Sequence, residues 1–367
     1  MPDFTSALYL GFTHPSASLS PWRALTLGRP AALEEPTGSR ALARELTQLI
    51  GGEAGILYPS TLHLFRDVFQ VVAAPKGTII LFDAASYPIA RWGAEGAAVN
   101  GIPIETFPHR DVVALERRVR QARRAGQRPL IVVDGLCPSC GRLAPLPALA
   151  RLAADAGGSV VIDDTQALGV LGREPSPTAP LGIGGGGTLA WHGLSSRNTV
   201  VAASLAKAFG APLAILSGAA DTLTRIACEG ETRIHTSPPS AANVAAGRNA
   251  IALNRAQGDH LRARLVRLAE QLRKELRTLG LHPRSELPIP MQVVAMPSLR
   301  AAEAALASLD GNGIRALVTR SCREDLPSLT LLITARHAPA DIARATAALA
   351  RTQGVDSYAH RRRLEAA

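Results

Sequence analysis

The chain has 367 residues, a formal net charge of +10 and a hydrophobic content of 47%, which suits about two globular domains of ~150 residues each. No apolar run reaches membrane-spanning length, and "MPDFTSALYLGF" lacks the basic residues that precede a secretory core, so a cytoplasmic protein is expected. Aromatic residues make up only 4% and the arginines are spread over helical patterns, which argues against nucleic acid as a partner; a polyanionic small molecule such as a coenzyme A thioester is compatible with the charge.

Residues 1–40 read as an N-terminal arm. From Ala41 to about Gly218, short apolar runs alternate with helical periods. The turn "YPSTLH" (Tyr58–His63) opens the helical "LFRDVFQVV". Strands are expected at Gly77–Phe82, Pro129–Gly135, Ser159–Asp164, Asn198–Ser204 and Leu213–Gly218, with helices at Asp111–Gly126 and Leu146–Gly157 between them. Continuous apolar strands alternating with helices predict a mostly parallel sheet covered on both faces, an α/β architecture. A long helix with charged faces follows over Asn243–Gly280, then the strands "MQVVAM" and "LTLLIT" mixed with helices. That α+β pattern gives a large domain over 41–242 and, over 243–367, an interdomain helix with a smaller C-terminal domain. The only low-complexity piece is "LGIGGGG" at Leu181–Gly187, and the basic run Arg361–Arg363 reads as a solvated tail.

Four cysteines occur, at 137, 140, 228 and 322. The Cys137-Pro-Ser-Cys140 spacing is that of redox and metal motifs, but no thioredoxin-like context surrounds it and no second Cys-x-x-Cys completes a zinc site. Incidental or structural cysteines, with no metal, are the expectation.

The chemistry concentrates in "VVIDDTQALGVLG" (Val160–Gly172), where an apolar strand runs into the adjacent carboxylates Asp163 and Asp164. A buried charge needs a partner. Only three of the 40 basic residues are lysines: Lys76, Lys207 and Lys274. Lys76 sits in a Pro-Lys-Gly turn and Lys274 on a charged helical face, whereas Lys207 stands among small residues in "SLAKAFGAP". A lysine kept there in an arginine-rich chain points to chemistry that needs a deprotonatable amine. Asp163 with Lys207 suggests pyridoxal phosphate, which takes a Schiff-base lysine and a carboxylate at its ring nitrogen. Its phosphate suits a helix N-terminus with hydroxyl donors; the "YPSTLH" turn and Ser204 offer both.

With these segments in place, the sequence resembles the α-oxoamine synthases, fold-type I pyridoxal-phosphate enzymes that include 8-amino-7-oxononanoate synthase and serine palmitoyltransferase. "VVIDDTQALGVLG" and "SLAKAFG" carry the resemblance most firmly; "EAGILYPSTLHLF", "VVDGLCPSCGRLAPL" and "HTSPPS" are weaker anchors. The resemblance implies Lys207 as the Schiff-base lysine, Asp163 as the pyridinium partner and Ser204 as a phosphate hydroxyl. Thr61 and Leu62 match the pair whose amides cradle the phosphate, and Asp134 the acidic residue behind the ring. Thr236 matches the threonine that reaches the phosphate across a dimer interface, implying a homodimer with shared sites.

The sequence also departs from that pattern. Gln166 stands where the family has a histidine facing the cofactor's phenolic oxygen, and an amide still donates that bond. Tyr87 replaces the histidine that stacks on the ring. Thr330 stands where an arginine grips the substrate carboxylate; Arg323, Arg336 and Arg91 are the candidates to replace it. The resemblance implies a decarboxylative condensation of an amino acid with an acyl thioester, carried by coenzyme A or an acyl carrier protein, with catalytic roles for Lys207, Asp163 and Tyr87. The alternative keeps the cofactor in an aminotransferase, lyase or aldolase acting on a divergent amino substrate. A third reading, an inactive scaffold, fits poorly with retention of Lys207 and Asp163.

Overall fold

A computed structural model describes residues 1–73, 77–320, 322 and 326–364, the last helix by its backbone alone from 352 onward. The chain divides into two units: residues 12–138 with 143–259, and residues 1–11 with 139–142 and 260–367.

The first unit begins with α1 (Ser39–Ile50), β1 (Ala54–Tyr58) and α2 (Thr61–Val72). The α/β alternation continues through β2 (Thr78–Asp83), α3 (Pro88–Val99), β3 (Ile104–Phe107), α4 (Val112–Arg124), β4 (Arg128–Asp134), α5 (Leu146–Asp155) and β5 (Ser159–Asp163). After α6 (Thr188–His192) come β6 (Thr199–Ser204), β7 (Ala214–Gly218), α7 (Ala220–Glu229) and α8 (Glu231–His235). The seven strands form one sheet in the order β1-β7-β6-β5-β4-β2-β3. Its pairs are parallel from β6 through β5, β4 and β2 to β3, whereas β7 runs antiparallel to both β6 and β1. The mostly parallel sheet expected from the apolar runs is therefore present, with one reversed strand that the pattern did not reveal.

All five expected strands of this unit form. β1 and β3 were not anticipated. β1 is five residues with a glycine in it, and β3 is an edge strand whose IETF sequence buries fully only Phe107. One face of the sheet is sealed by α2 and its neighbours, with Phe65, Phe69, Ile80, Phe82, Val132, Val161 and Leu216 in one fully or almost fully buried cluster. Gly93 on α3 meets α2 so closely that an added Cβ would lie 2.5 Å from Cβ of Phe65.

α9 (Ala241–Thr278) carries the chain from the first unit into the second. There β8 (Met291–Ala295), α10 (Leu299–Asp310), β9 (Leu317–Arg320), β10 (Pro327–Leu332) and α11 (Pro339–Leu364) follow. The strands form a small antiparallel sheet in the order β8-β10-β9. Phe4 of the N-terminal arm stacks on the His337 ring at 4.3 Å between centroids. Among the described residues no helix is long and apolar enough to cross a membrane.

Candidate active site

Strands β4, β5 and β6 end side by side, so their last residues share one edge of the first unit. In open α/β sheets this carboxyl edge is where ligands bind. Register pairs Asp163 with Asp134 on one side and with Ala202 on the other. A cavity of about 270 Å³ opens there. Seven of the nine residues singled out by sequence line it: Thr61, Tyr87, Asp134, Asp163, Gln166, Ser204 and Lys207.

Asp163 is only 6% exposed, and its Oδ1 accepts from the Thr165 backbone N–H at 3.0 Å. Burial pushes its carboxyl upward; the Thr165 bonds and the Lys207 charge pull the other way. Asp134 is pushed well above the usual carboxylate range by burial and by the Asp163 charge beside it, against the pull of the Tyr87 amide. That amide donates to both Asp134 oxygens, at 3.2 and 3.1 Å. Tyr87 is thereby fixed at the N-cap of α3 with its side chain 54% exposed.

Asp164, the second carboxylate of the pair, does a different job. It is fully buried, away from the cavity wall, and takes the Thr188 amide at 2.8 Å and the Thr188 hydroxyl at 2.5 Å. Burial lifts its carboxyl to about 6. Thr165 was not singled out by sequence, although it directly follows the two aspartates. Its Oγ1 accepts the Ser204 amide at 3.0 Å, tying the β5 exit to the end of β6.

Lys207 follows β6 in a tight turn closed by Gly210 N–H to Lys207 C=O and Ala211 N–H to Leu205 C=O. It is half-buried, more open than the small residues around it suggest. Gly169 packs closely on this turn. Its φ of +83° and its approach to the turn leave no room for a side chain, since a Cβ there would lie 2.6 Å from that of Ala208. Of the other lysines, Lys274 is exposed on α9 and Lys76 lies outside the described residues.

Thr61 and Leu62 are the first two residues of α2. No side chain caps this helix N-terminus: the Ser60 hydroxyl is bonded to His63 Nδ1 at 2.8 Å instead. Thr61 lines the cavity, whereas Leu62 is 42% exposed and does not. Thr236 is also away from the cavity wall. It ends α8, where its hydroxyl donates to Thr232 C=O at 2.6 Å. Thr232 in turn donates to Asp67 on α2, a carboxylate that also accepts from the Tyr58 hydroxyl.

Thr330, expected at the carboxylate-binding position, and two of the three arginines weighed to replace it have other partners. In the second unit Thr330 is 3% exposed and its hydroxyl sits 2.9 Å from that of Thr319. Arg336 donates from Nε to Gly11 C=O at 2.8 Å. Arg91, in the first unit, lies over the Phe82 ring at 4.8 Å. Arg323 is outside the described residues.

The match to the aminotransferase class I and II family model spans residues 24–349. The chain belongs to the aminotransferase class I and II family. Members are pyridoxal-phosphate enzymes, and the site fits that group: an uncapped helix start for an anion, a hydroxyl and a primary amine in one cavity, and a buried carboxylate in need of a cation. Within the family the chain is 30% identical to an 8-amino-7-oxononanoate synthase of Alkalilimnicola ehrlichii over 323 residues, 86% of this chain and 76% of that one. It is equally similar to one of Burkholderia thailandensis, over 84% and 76% of the two chains. Among solved structures, serine palmitoyltransferase of Sphingomonas wittichii superposes with a TM-score of 0.83 at 18% identity, covering 96% of this chain and 88% of that one. An 8-amino-7-oxononanoate synthase of Francisella tularensis gives 0.74 at 16% identity, over 97% and 98%. These likenesses support the fold-type I architecture of this family member: a large, mostly parallel sheet and a small antiparallel one.

Proposed function

We propose that this pyridoxal-phosphate-dependent transferase is an acyltransferase that condenses an amino acid with an acyl thioester and releases carbon dioxide. The observation that carries the reading is Lys207 and Asp163 in one cavity with the uncapped start of α2. The names of the 30% identical relatives agree with it.

When bound, pyridoxal phosphate supplies the electron sink that lets bonds at the substrate Cα break. Thr61 and Leu62 would hold its phosphate by their amides at the uncapped start of α2, and Ser204 by its hydroxyl. Asp163 would keep its ring nitrogen protonated, with Gln166 as a hydrogen-bond donor and Tyr87 as an aromatic wall of the same cavity. Asp134 holds Tyr87 in place by its amide. Lys207 Nζ takes the Cα proton of the amino acid. A carbon–carbon bond to the acyl carbon replaces the carbon–sulfur bond, and the thiol leaves with a proton. The Cα–carboxylate bond then breaks, carbon dioxide departs and a proton returns to Cα. Coenzyme A and an acyl carrier protein are both suitable carriers of the acyl group.

We place the enzyme in the cytoplasm as a homodimer, with Thr236 serving the partner's site. The exposure of Tyr87, Leu62 and Trp92 on one protomer supports that arrangement. The Thr330–Thr319 pair favours a second reading, an aminotransferase, lyase or aldolase with a divergent amino substrate.

The test is to incubate holoenzyme with amino acids, with and without acyl-coenzyme A, and to measure free thiol and carbon dioxide. Equimolar release of both, dependent on both substrates, is expected. Amino-group transfer or retro-aldol cleavage without thioester consumption would select the second reading.

A further inference from the structure

Thr165 directly follows the Asp163–Asp164 pair and lines the cavity with Asp163, Ser204 and Lys207. Asp163 ends β5 and pairs in register with Ala202 of β6. One residue on, the Asp164 N–H donates to Ala202 C=O at 2.7 Å and continues the ladder. Further along β6 the Leu205 N–H turns to the other side, toward Leu213 C=O at 2.8 Å. The Ser204 N–H faces β5, and there it meets a side chain, Thr165 Oγ1 at 3.0 Å.

Thr165 holds Asp163 as well. Its backbone N–H donates to Asp163 Oδ1 at 3.0 Å. A hydroxyl accepts through its oxygen and still has one proton to give; that of Thr165 goes to the same carboxylate. Both bonds favour the charged form of Asp163 against its burial. On the far side the Ser204 hydroxyl accepts the Ala206 N–H at 3.2 Å, at the entry to the Lys207 turn. One threonine thus ties the end of β5 to the end of β6 where both enter the cavity.

We propose that Thr165 is a positioning residue for pyridoxal phosphate: its hydroxyl fixes the Asp163 carboxylate against the ring nitrogen and sets that carboxylate's spacing from Ser204. The inference rests on Asp163 and Ser204 as the cofactor anchors proposed above. Thr165 acts through them and takes no proton itself. A charge-assisted hydrogen bond is strong only when short and well aligned, so a carboxylate held from behind by two donors binds a ring N–H better than a free one. Valine has the branched shape of threonine, but in its place the Ser204 N–H loses its acceptor and Asp163 loses a donor.

The test uses the full chain, stripped of cofactor and titrated by protein fluorescence with two probes. One is pyridoxal phosphate; the other is its deaza analogue, in which carbon replaces the ring nitrogen. Both carry the same aldehyde and phosphate, so the ratio of their affinities reads the bond to Asp163. In the wild type the ratio favours pyridoxal phosphate by about tenfold to hundredfold, the scale of one hydrogen bond to a charged group. Thr165→Val is expected to cut that ratio by roughly tenfold, and Thr165→Ser, which keeps the hydroxyl, to hold it within about threefold of the wild type. An unchanged ratio in Thr165→Val, with both probes weakened alike, makes Thr165 a packing residue and overturns the proposal. An equal fall of the ratio in Thr165→Val and Thr165→Ser overturns it too. If Thr165→Val does not fold, Thr165→Ala takes its place in the comparison with Thr165→Ser. A wild type that binds both probes equally overturns more: Asp163 then does not face the ring nitrogen, and the anchor assignment falls together with the role of Thr165.

Discussion

Asp163 and Asp134 are register partners at the ends of two parallel strands, two buried carboxylates with Lys207 as the cation of their cavity. Adjacent buried carboxylates do not both ionise without a nearby positive charge. In the proposed function a protonated pyridine ring beside Asp163 would supply one, while Asp134 needs only to accept the Tyr87 amide. Asp163→Asn therefore lowers turnover about a hundredfold or more, on the scale of one lost charge-assisted bond, while cofactor stays bound. Asp134→Asn, which keeps an acceptor for the Tyr87 amide, lowers it less than about tenfold. Steady-state kinetics on cofactor-loaded variants separate the two, and equal losses would contradict the assignment.

Lys207 is the amine of the cavity wall. Borohydride reduction of the holoenzyme is expected to fix the cofactor on Lys207 and to leave Lys274 and Lys76 unlabelled. Lys207→Arg keeps the charge but removes the nucleophilic amine, so it abolishes labelling. Peptide mapping by mass spectrometry reads both results, and label on another lysine would remove Lys207 from its role.

Asp164 makes stability depend on pH. Its carboxyl rises from an ordinary 3.8 to about 6 in the fold, with burial as the main cause. The folded chain thus binds this proton more tightly than the unfolded chain. Its ionisation costs stability above about pH 6, and that cost is relieved as pH falls from about 6 to 4. Thr188→Val removes the hydroxyl donor that offsets the cost. The variant is expected to lose about 1.5–3 kcal/mol at pH 8 and distinctly less at pH 5. Denaturant midpoints at the two pH values measure the difference, and a loss independent of pH would assign Thr188 a packing role alone.

Gly169→Ala forces a side chain into a left-handed backbone position against the Lys207 turn. Strain and overpacking of this kind cost about 1–3 kcal/mol. A lowered melting temperature and weaker cofactor retention on dialysis are expected together. Unchanged retention would show that the turn tolerates the shift.

Thr330, which the resemblance sets at the position of a carboxylate-gripping arginine, is buried and hydrogen-bonded to Thr319. A bidentate arginine separates a free acid from its ester by about tenfold to hundredfold. Here alanine and alanine methyl ester are expected to perturb the bound cofactor's spectrum with affinities within about threefold of each other, given no such clamp. Spectrophotometric titration provides the comparison. A strong preference for the free acid that disappears in Arg336→Ala would instead name Arg336 as the replacement.

The sequence by itself determined the fold class, and it named seven residues that the fold brings to one cavity. Apolar runs of strand length ending in Asp163 and Ser204 show where strands stop, because burial on both faces demands uninterrupted apolar side chains. The scarcity of lysine isolates Lys207, since only an amine that loses its proton does this chemistry. Tertiary structure alone decided which ends become neighbours. Strand order and the reversal of β7 come from long-range pairing that local periodicity does not encode, and they set Asp134 beside Asp163 and the Thr165 hydroxyl on the Ser204 amide. The division of labour between Asp163 and Asp164 is of the same kind. Adjacent residues on a strand exit face opposite ways, so one lines the cavity while the other is sealed against Thr188.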